Sequence, residues 1–110
     1  MAKRKHRVVI APEARDDLRK ELNYLRRKRG DAMAKKVNKG LQKSIKSLDT
    51  FPEKHRVVEQ ISTSKRKYRV LPKWSYLIIY RIEKVLKQVR IVSIFSSSRD
   101  PEEIDKIKGR

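Results

Sequence analysis

The segment 75–82, SYLIIYRI, is apolar or aromatic at nearly every position. Because successive side chains of a strand point to opposite faces of a sheet, this strand would carry apolar groups on both faces. The segment 88–95, QVRIVSIF, has the same property. A sheet built from these strands must therefore be covered on both sides. In the second segment, strict alternation would place one set of side chains on a common face: Val89, Ile91, Ser93 and Phe95.

The two segments belong to a group of three strand candidates, which are Lys67–Leu71, Ser75–Ile82 and Gln88–Phe95. Only a few residues separate them, which predicts two hairpins and an antiparallel meander. Near the start of the chain, residues 6–11 (HRVVIA) predict a short strand. We expect it at an edge of the sheet, beside the last strand if the two pair in parallel.

Two amphipathic helices are predicted between the first strand and the meander. Residues 12–29 carry apolar residues at helical spacing, with Pro12 at the first helical position and Gly30 as the stop. Asp31 is expected to cap a second helix, about 32–48. The connection is so short that the helices must pack antiparallel. The expected buried face of the second helix consists of Met33, Val37, Leu41, Ile45 and Leu48.

The predicted fold is α+β, with a two-helix hairpin packed on one face of a small, mostly antiparallel sheet. The order is β-α-α-β-β-β, followed by a short C-terminal tail or helix from Pro101. The 110 residues fit a single domain over 1–110. Residues 53–64 are predicted as a loop with at most a short strand at Val57–Ile61. Since two helices cover only one face, the other must be covered by the tail, by this loop, by a second copy or by a partner.

The net charge of +18 predicts an anionic partner such as nucleic acid, an acidic protein or an anionic membrane surface. The alternative is a charge that serves only solubility. The absence of cysteine excludes disulfide scaffolds, Cys-type zinc sites and thiol nucleophiles. No apolar run is long enough to cross a bilayer, and the N-terminal segment lacks the apolar core of a signal peptide. We therefore expect a cytoplasmic protein without a membrane partner.

Three segments, taken in order, resemble the RelE/ParE toxins of bacterial toxin–antitoxin modules. The opening strand and helix read VVIAPEARDDLRKELNYL, and the second helix with its Pro stop reads GDAMAKKVNKGLQKSIKSLDTFPE. The closing strands read YRVLPKWSYLIIYRIEKVLKQVRIVSIFSSSRDPEEI. The resemblance covers residues 7 to about 104. No single motif is specific to this family, but the ordered set of three segments is.

The resemblance implies a cognate antitoxin that lays an acidic, amphipathic segment over the toxin. It also allows a heterotetramer of toxin and antitoxin, and it implies no cofactor and no metal. An apolar strand beside a basic rim is what such a segment would bind. On this basis the antitoxin contacts are predicted to be Trp74, Tyr76, Ile78, Tyr80 and Phe95.

The family has two main activities, because RelE-like members cleave mRNA in the ribosomal A site and ParE-like members poison DNA gyrase. RelE-like enzymes tend to place a Tyr or His near the C-terminus, whereas this sequence has neither after Arg99 and reads Ser-Ser-Ser at 96–98. Its two histidines, His6 and His55, are expected at the surface. The ParE-like branch is therefore favoured, and it carries over no catalytic residue. For that branch the tail 99–110 and the basic helix faces are the expected gyrase contacts.

The alternative is a ribosome-dependent endonuclease, which must activate the 2′-OH, stabilise the phosphate charge and protonate the leaving oxygen. In that case a phosphate clamp would be formed by Arg69, Lys73, Arg81 and Arg99. An inactive relative and a plain basic nucleic-acid-binding module remain open as further alternatives. Target or nucleic-acid contacts are predicted at Lys65, Arg66, Lys67, Arg69 and Arg99.

Overall fold

The structure is a computed structural model, which describes residues 6–98 and 102–110. A five-stranded sheet has the order β1-β5-β4-β3-β2, with β1 parallel to β5 and the other pairs antiparallel. The strands are β1 (Arg7–Ile10), β2 (Arg56–Val57), β3 (Arg69–Lys73), β4 (Tyr76–Glu83) and β5 (Gln88–Ser96). The helices are α1 (Pro12–Arg29), α2 (Asp31–Lys46) and a short α3 (Glu102–Asp105). The predicted α+β fold and the position of the first strand at the sheet edge are confirmed.

The helical hairpin turns on one residue, Gly30, whose φ of 89° lies in the left-handed region that favours glycine. Its amide donates to the carbonyl of Arg26, which ends α1. The predicted side-chain cap by Asp31 is wrong, because α2 begins at Asp31 itself and that carboxylate pairs with the guanidinium of Arg26 at 2.8 Å. A 3₁₀ turn at Ser47–Asp49 follows α2, so the α-helix is shorter than predicted.

The first core lies between the helices and one face of the sheet. Ala14 and Leu18 of α1 meet Leu41 of α2 there, over the centre of β4 and β5. These side chains are buried, as the helical spacing of apolar residues predicts. The sheet contributes Ile78, Tyr80, Val89, Ile91 and Ile94.

The second face of the sheet is covered by two segments of the same chain. Val58 and Ile61 come from the connection between β2 and β3, and Ile104 and Ile107 come from the C-terminal segment. Of the coverings that the sequence left open, the loop and the tail are therefore the ones found. The short strand of this connection lies at Arg56–Val57, ahead of a 3₁₀ turn at Glu59–Ile61. The residues covered are Tyr68, Val70, Ile79, Val92 and Phe95.

A bulge interrupts the alternation of β5. Ile79 pairs with Ser93, whereas its neighbour Tyr80 pairs with Ile91, so Val92 is an extra residue in β5. As a result Ile94 packs on the helix side and Phe95 on the opposite side. The prediction that Val89, Ile91, Ser93 and Phe95 share one face of the sheet is therefore wrong for the residues after Ile91. This bulge contains no glycine, so no glycine marks its position in the sequence.

Two carboxylates of α1 lie along the free edge of β5. The pairing of β1 with β5 ends at Ile10 and Ile91. Beyond that point Asp17 accepts hydrogen bonds from the hydroxyl of Ser93 at 2.7 Å and from the amide of Ile94 at 3.4 Å, and Glu21 accepts one from the amide of Ser96 at 3.2 Å. One helical turn and two strand residues both span about 6 Å, so the spacing of the carboxylates on α1 matches the spacing of the donors along β5. The helix thus satisfies a strand edge that would otherwise offer pairing to another chain.

We predict that Asp17→Ala costs roughly 2 kcal/mol of unfolding free energy. Ser93 is 3% exposed, and the substitution leaves its hydroxyl without an acceptor. It also removes the ion pair between Asp17 and Arg110, whose charged atoms lie 3.0 Å apart. The measurement is urea unfolding of the purified chain. The control is Asp16→Ala, which loses only an exposed pair with Arg19 and should cost about 0.5 kcal/mol or less. Equal losses for the two variants would contradict the edge-covering role.

Candidate functional site

Two concave surfaces lie at opposite ends of β4. The first, called here the Trp74 cleft, has a volume of about 300 Å³ and is lined by Leu25, Arg29, Met33, Lys36, Val37, Trp74, Ser75 and Tyr76. The second, called here the basic basin, has a volume of about 530 Å³ and is lined by Glu53, Ser64, Lys65, Lys67, Arg69, Arg81, Ile82, Glu83, Lys84 and Val85. Tyr76 and Glu83 are seven residues apart on one strand, which is about 23 Å.

Trp74 occupies the tight turn between β3 and β4, with a left-handed φ of 54°. Its ring lies directly on the backbone of α2, since a Cβ added at Gly40 would overlap the six-membered ring of the indole. The ring is nevertheless 55% exposed, and the ammonium of Lys73 lies 4.5 Å from its centroid. A glycine inside a helix costs about 1 kcal/mol relative to alanine. Close approach of Trp74 explains why α2 carries one.

The rest of the Trp74 cleft has an apolar floor and a cationic rim. Leu25, Val37 and Tyr76 are partly or fully buried beneath it, and Arg29 and Lys36 are exposed at its border. Burial raises the pKa of the Tyr76 hydroxyl, and the nearby charge of Glu21 raises it further. The phenol is therefore an uncharged wall at neutral pH. The cleft suits a bulky apolar group flanked by carboxylates.

The predicted antitoxin-contact residues do not share one surface. Trp74 and Tyr76 line the Trp74 cleft. Ile78 and Tyr80 are fully buried beneath the helices, and Phe95 is 8% exposed on the opposite face of the sheet. Direct contacts at these last three would require the monomer to open. Burial on both faces of the sheet is the reason the prediction fails to place them together.

The basic basin combines five cationic side chains with two carboxylates, and its two arginines are tied to the protein. The Arg69 guanidinium donates to the carbonyls of Glu53 at 2.9 Å and of His55 at 2.8 Å. Arg81 pairs with Glu83 at 3.2 Å and donates to the main-chain oxygen of Arg110. Among the described residues, no ion pair holds the three lysines, which leaves their charge for an anion: Lys65, Lys67 and Lys84.

The predicted phosphate clamp is only partly assembled. Arg69 and Arg81 both line the basic basin, whereas Lys73 lies four residues along β3, about 13 Å away, beside Trp74. Arg99 lies outside the described residues. Of the predicted target contacts, Lys65, Lys67 and Arg69 line the basin, and Arg66 instead donates to the carbonyl of Gly109 at 3.2 Å.

The titratable groups next to Arg69 are structural. The Tyr80 hydroxyl is fully buried and donates to the carbonyl of Pro52 at 2.6 Å, and burial raises its pKa. His55 stands edge-on to this ring at 6.2 Å, and burial lowers its pKa together with the charges of Lys54 and Arg69. His55, which was expected at the surface, is half-buried. Tyr80 has no access to a substrate, so it cannot supply a proton to one.

We predict that Gly40→Ala destabilises the protein by about 1–2 kcal/mol, although the same change stabilises an ordinary helix interior by about 1 kcal/mol. The added methyl group must push the Trp74 ring off α2. Because Trp74 is the only tryptophan, its fluorescence emission reports the displacement directly during urea unfolding experiments. In a Trp74→Ala background, where unfolding is followed by circular dichroism because no tryptophan remains, the change should instead be stabilising. If the two substitutions add without coupling, the ring does not rest on Gly40.

Comparison with known proteins places the chain in a family. The sequence matches the family model described as ParE toxin of type II toxin-antitoxin system, parDE, over residues 8–101. Among solved structures, the fold is similar to that of a chain from the chromosomal ParDE TA system from P. aeruginosa, with a TM-score of 0.67 and 15% identity. That match covers 86% of this chain and 98% of the other.

At this identity the structural match shows the shared fold alone. A search of the curated proteins gives no match. The family match spans most of the chain, including α1, α2, β2 to β5 and all but the first residue of β1. The chain therefore belongs to the ParE toxin family of type II toxin–antitoxin systems.

Proposed function

We propose that this ParE-family toxin arrests growth by poisoning DNA gyrase, and that an acidic cognate antitoxin neutralises it. The observation that carries the proposal is the match over residues 8–101 to the ParE toxin family of type II toxin–antitoxin systems, because gyrase is the target that the resemblance to ParE-like members implies. The net charge of +18 fits both an acidic neutralising partner and a target that works on DNA.

The geometry around the basic basin favours gyrase over RNA cleavage. A nuclease needs a group that moves a proton and cations that stabilise the phosphate, and Arg69 and Arg81 are the predicted clamp residues that line the basin. Arg69 and Arg81 are engaged with carbonyls and a carboxylate of the protein itself, and the Tyr80 hydroxyl is sealed from solvent. Among the described residues no ion pair holds the three lysines of the basin, so they can bind an anionic surface. We accordingly propose the basic basin as a contact for the target.

The Trp74 cleft is the proposed docking site of the antitoxin. The cleft has a volume of about 300 Å³. It offers a half-exposed indole that rests on α2, an apolar floor and a cationic rim. An acidic segment with one bulky apolar side chain complements all three features. Tryptophan is also among the residues whose truncation most often weakens an interface. The proposed docking site therefore rests on Trp74 and Tyr76, which are the accessible pair among the predicted antitoxin contacts.

The target is tested by inducing this chain alone in a bacterial host and timing the arrest of DNA, RNA and protein synthesis. Gyrase poisoning predicts that DNA synthesis stops first and that a DNA-damage response follows. The control is co-induction of the cognate antitoxin, which should restore growth. If protein synthesis stops first, the target is the ribosome and the proposal fails.

The docking site is tested by Trp74→Ala, which should weaken antitoxin binding by roughly 30-fold or more, as expected for an interface anchor. Isothermal titration calorimetry with the cognate antitoxin measures the affinity. Tyr24→Ala is the matched control, because Tyr24 is similarly exposed, at 53%, but does not line the Trp74 cleft. Equal effects of the two substitutions would locate the antitoxin elsewhere.

A further inference from the structure

The outer face of α2 carries a row of lysines that neither the cleft nor the basin uses. The row, called here the lysine ridge, consists of Lys35, Lys39, Lys43 and Lys46. All four side chains are exposed, opposite the buried Val37, Leu41 and Ile45. At 100° per residue they fall within an arc of about 80°, and they extend over about 16 Å of the helix axis.

No free carboxylate of α2 compensates the charge of the lysine ridge. α2 contains a single acidic residue, Asp31, and that carboxylate is paired with Arg26. Within the described part of the chain, no ion pair involves a lysine of the ridge. Like charges at spacings of three and four residues repel one another along a helix. The sequence therefore keeps an arrangement that is unfavourable for the isolated helix.

The neighbouring helix shows what a surface that serves solubility looks like. The first turns of α1 carry two exposed acidic residues, Glu13 and Asp16, among their cations, and Asp16 pairs with Arg19 at 2.7 Å. Mixed signs give solubility without a strong local field. The contrast between two adjacent helices of one chain indicates that the ridge has a separate role.

The straight arrangement of the ridge favours one kind of anion. Lysine binds phosphate as a point charge, so it requires no fixed orientation of the phosphate group. Single strands are held on aromatic stacking platforms, and the ridge contains no aromatic residue. A straight row of lysines instead suits the regular backbone of a duplex, of which 16 Å covers roughly five base pairs.

We propose that the lysine ridge of α2 is a sequence-independent binding site for the phosphate backbone of duplex DNA. The inference goes beyond the proposed function, since it depends on neither the identity of the target nor the antitoxin. Each phosphate neutralised releases counterions, so the site predicts how strongly salt weakens binding. With four lysines engaged, the ridge contributes about 3–4 to the slope of log affinity against log salt concentration.

The test compares two variants of equal net charge. The first neutralises the ridge with Lys35→Gln, Lys39→Gln, Lys43→Gln and Lys46→Gln. The second neutralises four exposed cations of α1 with Arg15→Gln, Arg19→Gln, Lys20→Gln and Arg27→Gln. Glutamine has a helix propensity close to that of lysine and arginine, so both variants should fold, as circular dichroism will verify.

Binding is measured by fluorescence anisotropy of a labelled 24-base-pair duplex between 50 and 300 mM KCl. We expect the slope to fall by about 3–4 in the ridge variant and by less than about 1 in the α1 variant. Equal changes in the two variants, or an unchanged slope in the ridge variant, would overturn the proposal.

Two competitors test the nature of the anion. An unlabelled duplex should displace the labelled one at lower concentration than a single strand of the same sequence or polyglutamate of matched charge. If the single strand competes better, the ridge does not select a duplex. If polyglutamate competes equally well, the ridge is a surface for acidic protein and the assignment to DNA is wrong.

Discussion

The hairpin formed by β4 and β5 is buried on both faces, and the rest of the structure follows from covering it. Ile78, Ile91 and Ile94 require the helices on one side, and Ile79 and Val92 require a second cover on the other. Two helices joined by a single glycine cannot provide both covers. The connection before β3 and the C-terminal segment supply the second, which is why a chain of only 110 residues devotes irregular segments to its core.

This constraint moves the accessible surfaces away from the faces of the sheet. The Trp74 cleft lies where the turn between β3 and β4 meets α2, and the basic basin lies at the other end of β4. The lysine ridge faces outward from α2. A partner seated in the cleft would leave the basin, about 23 Å along β4, uncovered unless it extends that far. If the antitoxin binds in the cleft and the target at the basin, as proposed, an antitoxin that blocks the target directly must be long enough to reach both ends of the sheet.

The sequence was sufficient for the parts of the fold that depend on periodic patterns. Apolar spacing located α1 and α2, and the short separations between strands predicted the meander. Features that depend on tertiary contacts were not predictable in this way. The extra residue Val92 reverses the facing of Phe95 without any local signal, and the cover of the second face depends on segments with no clear period.

The candidate site shows the same division. Trp74 was predicted as an antitoxin contact, and the structure makes it a half-exposed ring resting on α2. Its support, Gly40, was missed, although a glycine inside a helical pattern is itself a signal of close packing. The basic residues before β3 were identified by charge alone. Charge could not reveal that the Arg69 guanidinium donates hydrogen bonds to the carbonyls of Glu53 and His55.

The most direct test of the central claim is a supercoiling assay with purified DNA gyrase, relaxed plasmid and this chain. Poisoning predicts that the chain inhibits supercoiling and that cleaved plasmid accumulates when the reaction is stopped with detergent and protease. Prior addition of the cognate antitoxin should abolish both effects. If gyrase works at its normal rate and no cleaved plasmid appears, while the same preparation cleaves mRNA on translating ribosomes, the account is contradicted.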